Sequence, residues 1–337
     1  MTTRNGSIPI LRVIWALVRN QPVRYPLTLL NFTILWTMPV FIGFISAAYF
    51  DSLTGQAAGW DLTTVLAALW AWCVARIVVV FLAMRLHSGV LFRANAGIKR
   101  NMLSWIYSLP GAQPLAETPG EVVSRFRDDV EHTVEAFDFT VDLVGSGLSA
   151  VLSFMVLLVI DPLITLTVFT PVAFIILITS RLGTRIRRYR SAARDATEAI
   201  TGFLGETLGS VQSVKVAGAE RTMLARFEQL NEERRRMMVR DRTFTAGLEA
   251  VFFNTVSIGT GLILILAVGS LSQSATAGLT IGQFALFVYL LQMVTDSAWF
   301  IGIFLARVKQ AGVSVERIVG LMDGSSWQDV VRDLDLG

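Results

Sequence analysis

Cysteine, histidine and charge are all scarce in this chain of 337 residues. The one cysteine, Cys73, lies in an apolar stretch, so no disulfide framework and no thiolate metal cluster forms within one chain. The two histidines, His87 and His132, are far apart in sequence, which argues against a histidine-rich metal site. Charged residues make up only 16% of the chain, against about 25% in soluble domains. No nucleic-acid-binding motif appears, and a formal net charge of +3 does not call for such a ligand. No nucleophile–base constellation is visible, and no G-x-x-x-x-G-K-[ST] loop exists to cradle a phosphate. The first twenty residues also lack a signal peptide's clean apolar core, because Arg12 and Arg19 interrupt it.

Hydrophobic residues, by contrast, reach 53%, and the mean hydropathy is +0.57. They fall in runs long enough to cross a bilayer, which takes about 20 residues. Six spans are expected: Tyr25–Phe50, Leu62–Met84, Phe139–Ile160, Leu163–Ser180, Ala250–Gly269 and Ile281–Ala306. Asp161-Pro162 reads as a tight turn between the third and fourth. Ahead of them, Leu11, Ile14, Trp15 and Val18 recur at i, i+3, i+4, i+7 among flanking arginines. That pattern predicts an amphipathic helix lying at the membrane surface.

Lysine and arginine are absent from the loops Asp51–Asp61, Asp161-Pro162 and Ser270–Thr280. Every one except Arg76 lies in the N-terminus, the two long polar segments or the C-terminal piece. The positive-inside rule puts both termini and both polar segments in the cytoplasm. The segments near residues 85–135 and 181–249 are rich in helix formers, so the membrane helices are expected to continue outward as two helical hairpins. At about 1.5 Å per residue, Arg181–Gly205 alone reaches roughly 37 Å beyond the bilayer. The expected fold is all-α: a polytopic membrane protein of six transmembrane helices with two long cytoplasmic helical hairpins.

The stretch Glu206–Glu220, ETLGSVQSVKVAGAE, stands at the tip of the second hairpin. Leu204, Leu208 and Val211 share one helical face, and Gly209 and Gly218 mark bends. A short rigid helix here, offering Leu208, Val211 and Val214, suits a ball-in-socket contact that transmits force. An ordinary turn is the plainer reading. Within the spans, Arg76 and Asp296 are costly ionisable residues at similar depth, roughly 21–23 Å below the outer ends, and a pairing between them is one expectation. Asp138, Asp142 and Glu249 read as solvated or interfacial. Phe284, Phe287, Met293, Phe300 and Phe304 on the sixth span either line an apolar substrate path or pack. The pairs Gly43/Ala47 and Gly145/Ser149 permit close helix approach.

Four segments, in order, resemble the transmembrane domain of exporter-type ABC transporters. TPGEVVSRFRDDVEHTVEAF (Thr118–Phe137) is similar to the stretch after the first coupling helix. AITGFLGETLGSVQSVKVAGAERTMLARFEQ (Ala199–Gln229) is similar to the stretch around the second. AGLTIGQFALFVYLL (Ala277–Leu291) resembles the start of the sixth helix, and VSVERIVGLMD (Val313–Asp323) the connector toward a nucleotide-binding domain. One departure stands out: LPGAQPLAETPGE has three prolines, and no aromatic, where the family has aromatics before the Gly-Glu pair. The resemblance implies an elbow helix at 1–24, a six-helix domain at 25–312 and a connector at 313–337. It implies docking on a nucleotide-binding domain through Glu206, Leu208, Gly209, Val211, Gln212, Val214 and Lys215, and through Gln113 and Leu115 in the first coupling segment. It further implies a second transmembrane subunit, homo- or heterodimeric, with ATP and Mg held by the nucleotide-binding partner and no cofactor on this chain. That partner is expected as a separate chain or as a missing C-terminal part. The expected function is the permease subunit of an ATP-driven exporter in the cytoplasmic membrane, moving an amphipathic or lipid-like substrate. An ion-coupled secondary transporter and a membrane scaffold whose hairpins bind a partner are the rival readings; the halves lack the matched interrupted helices that the former needs.

Overall fold

A computed structural model describes residues 9–55, 61–111, 117–254, 257–262, 264–265, 279–323 and 325–332. Helices make up the architecture, and no strand occurs among the described residues. The chain divides into two compact units, Met1–Pro162 with Ser270–Gly337, and Leu163–Gly269.

The first unit opens with α1 (Ile10–Arg19), followed by α2 (Arg24–Leu53) and α3 (Leu62–Ser108). Then come α4 (Pro119–Ser124), a π-helical turn (Arg125–Asp129) and α5 (Val130–Ile160). After the second unit, α9 (Ile281–Leu321) and α10 (Trp327–Val330) complete it. Local chemistry fixes the starts. The Asp61 side chain caps α3 by accepting from the Thr64 N–H at 3.0 Å. Hydrogen bonds from Thr63 and Thr64 hold its carboxyl down to about 2. Thr118 with Glu121, and Thr280 with Gln283, form reciprocal capping boxes at α4 and α9.

Among the described residues, four helices are long and apolar enough to cross a membrane: α2, α3, the run Pro119–Ile160 and α9. They carry the first, second, third and sixth expected spans. With 47 residues, α3 is about 70 Å long, more than twice the hydrocarbon thickness, so it continues well past its apolar part. The fourth expected span is helical throughout, inside the helix Pro162–Gly209, although the side chains of 172–173 and 175–180 lie outside the described residues. Of the fifth, Ala250–Gly269, residues 255–256, 263 and 266–269 lie outside them.

The main hydrophobic cluster sits at the polar-facing end of this unit. Leu17 and Val13 of α1 meet Ile98 and Met102 of α3, Phe137 of α5 and Ile318 of α9 in one buried group. Full burial of a Val or Leu side chain stabilises by about 1.5–3 kcal/mol relative to water exposure. The buried face of α1 is Val13, Ile14 and Leu17, whereas Leu11 and Trp15 are 63% and 67% exposed. The expected stripe Leu11–Ile14–Trp15–Val18 is therefore split, because Arg12 and Arg19 share one exposed face and the face opposite them is Val13, Ile14 and Leu17. Side-chain amides tie the C-terminal segment to the same end. Asn101 donates to the Val330 and Arg332 carbonyls at 3.0 and 2.6 Å, and Asn20 to Val331 at 2.5 Å.

Small residues set the close crossings. A Cβ at Gly145 would strike Trp36, and one at Gly43 would strike Leu286 and Tyr289. Both glycines thus serve the close approach expected of them, against α2 and α9 respectively.

The second unit is a helical hairpin. One residue, Asp161, in extended conformation separates α5 from α6 (Pro162–Gly209), with proline at the first helical position as its fixed φ favours. A short α7 (Val211–Val216) and a long α8 (Glu220–Phe253) follow. At 48 residues α6 is about 72 Å long. It packs on α8 through Phe203 against Phe227 and Tyr189 against Phe244, with ring centroids 6.5 and 5.3 Å apart.

Candidate functional site: hairpin tip and membrane-edge polar contacts

The tip of the second unit is built by its backbone. Ser210 leaves the helical region at φ −120°, ψ 24° and ends α6. Six residues later α7 closes with paired reverse hydrogen bonds: the Gly218 N–H donates to Lys215 O at 3.2 Å, and the Ala219 N–H to Val214 O at 3.1 Å. This is a Schellman closure, and it needs the left-handed φ of +60° that Gly218 supplies. Gly209 stays helical, so Ser210 makes the first bend rather than the glycine.

Nothing in the chain covers this tip among the described residues. Leu208 is 71% exposed and Val216 90%; Val211 is exposed and Val214 half-buried. Glu206, Gln212 and Lys215 are exposed beside them. A rigid six-residue helix with bare aliphatic side chains on a long hairpin is a surface shaped for docking. The break at Ser210 interrupts the single helical register expected for Leu204, Leu208 and Val211, yet all three are exposed. Gln113 and Leu115 of the first coupling segment lie outside the described residues.

Next to that first segment is a charge network. Arg125 grips Glu117 through two nitrogens, at 2.9 and 3.1 Å, and reaches Asp129 at 3.2 Å. Asp129 is buried, and its other oxygen lies 3.8 Å from Arg317 near the end of α9. The motif residues Arg125 and Asp129 thus join Glu117 to the C-terminal part of α9.

A second row of polar contacts runs along α5. Its carboxylates reach three different helices: Glu135 pairs with Arg307 of α9, Asp138 meets His87 of α3 at 2.5 Å, and Asp142 accepts from the Trp36 indole N–H of α2 at 2.9 Å. A carboxylate only accepts, so the His87 Nε2–H is the donor. Its Nδ1 is buried, with no partner among the described residues, and the ring packs on Phe32 at 4.6 Å. Asp138 and Asp142 are therefore interhelical partners rather than solvated groups. Local spacing does not signal the His87–Asp138 contact, because the two residues are 51 apart. One signal was present: His87 falls three residues beyond the second span and Asp138 one residue before the third, so both stand at the same membrane edge.

Arg76 and Asp296 do not meet. The Arg76 guanidinium sits over the Trp72 ring, 5.2 Å from its centre, one turn away on α3. Asp296 is exposed and accepts from Gln292 at 2.8 Å on α9. Similar distance along two helices leaves their rotation open, and each residue finds its partner locally. Of the sixth-span aromatics, Phe287 is fully buried and packs. Phe300 packs edge-on against Trp36 at 4.7 Å. Phe284, Met293 and Phe304 are half-buried.

These features define a class: an integral membrane protein of apolar helices with a helical hairpin that ends in a short exposed docking helix. The family model of the ABC transporter transmembrane region matches residues 27–297. The chain belongs to that family, and its fold is the exporter-type transmembrane domain. It is 24% identical over 259 residues, 75% of its length, to an ATP-dependent lipid A-core flippase of Albidiferax ferrireducens, covering 44% of that protein. A flippase of the same name from Bordetella pertussis is 24% identical over 234 residues, covering 69% of this chain and 37% of the relative. The chain spans about two fifths of the length of these curated relatives.

Proposed function

We propose that this chain is the permease half of an ATP-driven exporter, working as a dimer of transmembrane subunits with nucleotide-binding partners. Hydrolysis of ATP with Mg on those partners supplies the free energy, and this chain converts it into alternating access. The single observation that supports the coupling role is the uncovered aliphatic tip around α7. The residues that would dock are Glu206, Leu208, Gly209, Val211, Gln212, Val214 and Lys215, with Gln113 and Leu115 on the first coupling segment. The cargo class is amphipathic lipid, in keeping with the lipid-flippase names of the relatives. Phe284, Met293, Phe300 and Phe304 would line its path, with Phe287 as packing behind them. Both termini and both hairpins face the cytoplasm, the transporter sitting in the inner membrane, with the elbow helix at 1–24, the transporting domain at 25–312 and the connector at 313–337.

The test is transport of a fluorescent phospholipid across vesicles holding this chain and a nucleotide-binding partner, with ATP added on the partner's side. ATP-dependent flipping is the expected result; flipping driven by an ion gradient without nucleotide would overturn it. Orientation is read separately, in a Cys73→Ser background. A cysteine at Thr54 should label in intact cells, and one at Gln212 only after permeabilisation.

A further inference from the structure

Six arginines fall between residues 181 and 194, with no acidic residue until Asp195. All six are exposed, and none joins an ion pair among the described residues. They follow directly on the fourth expected span. Clusters of four to eight such residues beside a membrane helix attract anionic headgroups. Charge alone names a surface, not a site; the packing of α6 on α8 narrows it.

Two adjoining grooves meet at Tyr189. The first, about 570 Å³, is lined by Tyr189, Arg240, Thr243, Phe244, Gly247 and Leu248. The second, about 330 Å³, is lined by Arg188, Tyr189, Arg240 and two apolar residues. The Arg240 guanidinium is held over the Tyr189 ring, 5.1 Å from its centre, and Phe244 meets that ring edge-on at 5.3 Å. No carboxylate lines either groove.

Polarity changes along this groove in one direction. Leu248 is two residues from the expected fifth span, about 3 Å along the helix. Arg240 is about 15 Å from it, and Arg188 about 12 Å from the end of the fourth span. The groove is thus aliphatic and aromatic toward the bilayer and doubly cationic away from it. Long guanidinium side chains reach back toward the headgroups while their stems lie on apolar surface. An acyl chain along Phe244, Gly247 and Leu248 with a phosphate between Arg188 and Arg240 matches that gradient.

We propose that the groove between α6 and α8 at Tyr189 binds an anionic phospholipid of the inner leaflet, its phosphate held by Arg188 and Arg240. This rests on the orientation proposed above, and not on the cargo or on the motor. The site stabilises the root of the hairpin whose far end is α7, so lipid composition would bear on how firmly the hairpin is held.

The experiment is native mass spectrometry of the full chain in detergent. The probes are phosphatidylglycerol, phosphatidylcholine with the same acyl chains, and inorganic phosphate. The wild type should retain phosphatidylglycerol in preference to phosphatidylcholine, and millimolar phosphate should not displace it. Arg188→Gln with Arg240→Gln should lower phosphatidylglycerol retention about 25-fold, at about fivefold per guanidinium. Leu248→Trp, which fills the apolar arm, should also lower it with both guanidiniums in place. Arg187→Gln with Arg194→Gln makes the same change in charge and should stay within twofold of wild type. Equal retention of the two lipids by the wild type overturns the proposal, as does a control pair that loses as much as Arg188/Arg240. Displacement by phosphate assigns the site to a free anion and overturns the lipid. Should the double glutamine variant fail to fold, Leu248→Trp decides: retention unchanged from wild type rejects the groove. None of these readouts uses ATP or transport, so the site and the exporter reading fail separately.

Discussion

The carboxylate of Asp51, at the end of α2, accepts a hydrogen bond from the backbone N–H of Gly282 at 2.9 Å, and one from the Thr280 hydroxyl at 3.1 Å. The first and last long apolar helices are thus pinned at one end by a side chain of one capping the start of the other. Gly282 is required by the approach: a Cβ there would collide with the Ala47 carbonyl oxygen and lie 2.7 Å from Asp51 Cγ. Backbone cannot move aside as a flexible side chain can. Gly282→Ala is expected to lower stability by about 1–3 kcal/mol, the usual cost of overpacking. Asp51→Ala should cost about 0.5–2 kcal/mol for the lost cap. Gly302→Ala, which meets open space inside a helix, should leave the melting temperature in detergent equal to wild type or raise it slightly. Equal melting of the Gly282 and Gly302 variants would show that the two helices are not in contact there.

His87 and Asp138 are expected to be coupled, and Arg76 and Asp296 are not. Residues in contact show interaction energies of about 0.5–3 kcal/mol in double-mutant cycles, whereas distant pairs add within about 0.3–0.5 kcal/mol. His87→Ala leaves Asp138 without its partner, so the double variant should be less damaged than the two singles summed. Arg76→Ala and Asp296→Ala should simply add. Additivity at His87/Asp138, measured by thermal melting, would contradict the contact.

That contrast also shows what the sequence carries. The apolar runs, the absence of Lys and Arg from three loops and the order of four motifs were enough to expect long helices, the hairpin and its tip. They follow from composition and one-dimensional spacing. What was not legible depends on the rotation of one helix about its axis relative to another. Arg76 and Asp296 share a depth but not a facing, and His87 and Asp138 share both. On α1, by contrast, the signal was there: Arg12 and Arg19, seven residues apart, share one exposed face, and the buried Val13, Ile14 and Leu17 lie opposite it, whereas the stripe through Leu11 and Trp15 borders the arginines.

The two arginines near Asp129 should differ in weight. Arg317 is 56% exposed and 3.8 Å away, and exposed pairs contribute about 0–1 kcal/mol. Arg125 is 20% exposed and bonds both Asp129, which is only 4% exposed, and Glu117. Removing one partner of a buried pair costs about 3–5 kcal/mol, because the other charge stays behind. Arg125→Gln is therefore expected to be clearly more destabilising than Arg317→Gln, approaching that range less whatever Arg317 recovers. Denaturation curves in detergent that rank the two variants equally would place the weight of the network elsewhere.

The hairpin tip yields the sharpest test of the coupling proposal. Leu208 and Val211 are exposed in this chain, so their replacement removes no internal packing. Leu208→Asp with Val211→Asp should then leave folding and membrane insertion intact, with melting within about 0.5 kcal/mol of wild type, as for ordinary surface changes. Against a partner the same change is severe. A charge forced into a dry apolar contact without a counterion costs several kcal/mol. Transport should fail, and any nucleotide-binding partner still held should hydrolyse ATP without responding to cargo. A cysteine at Ser213 should cross-link to that partner in the wild type and much less in the double aspartate variant. Gly218→Val offers an independent route to the same end, because a β-branched residue at φ +60° is strained and would unseat the Schellman closure without adding charge. If the aspartate variant transports at the wild-type rate, with cargo still stimulating hydrolysis, the exposed aliphatic tip is a surface turn and force passes elsewhere.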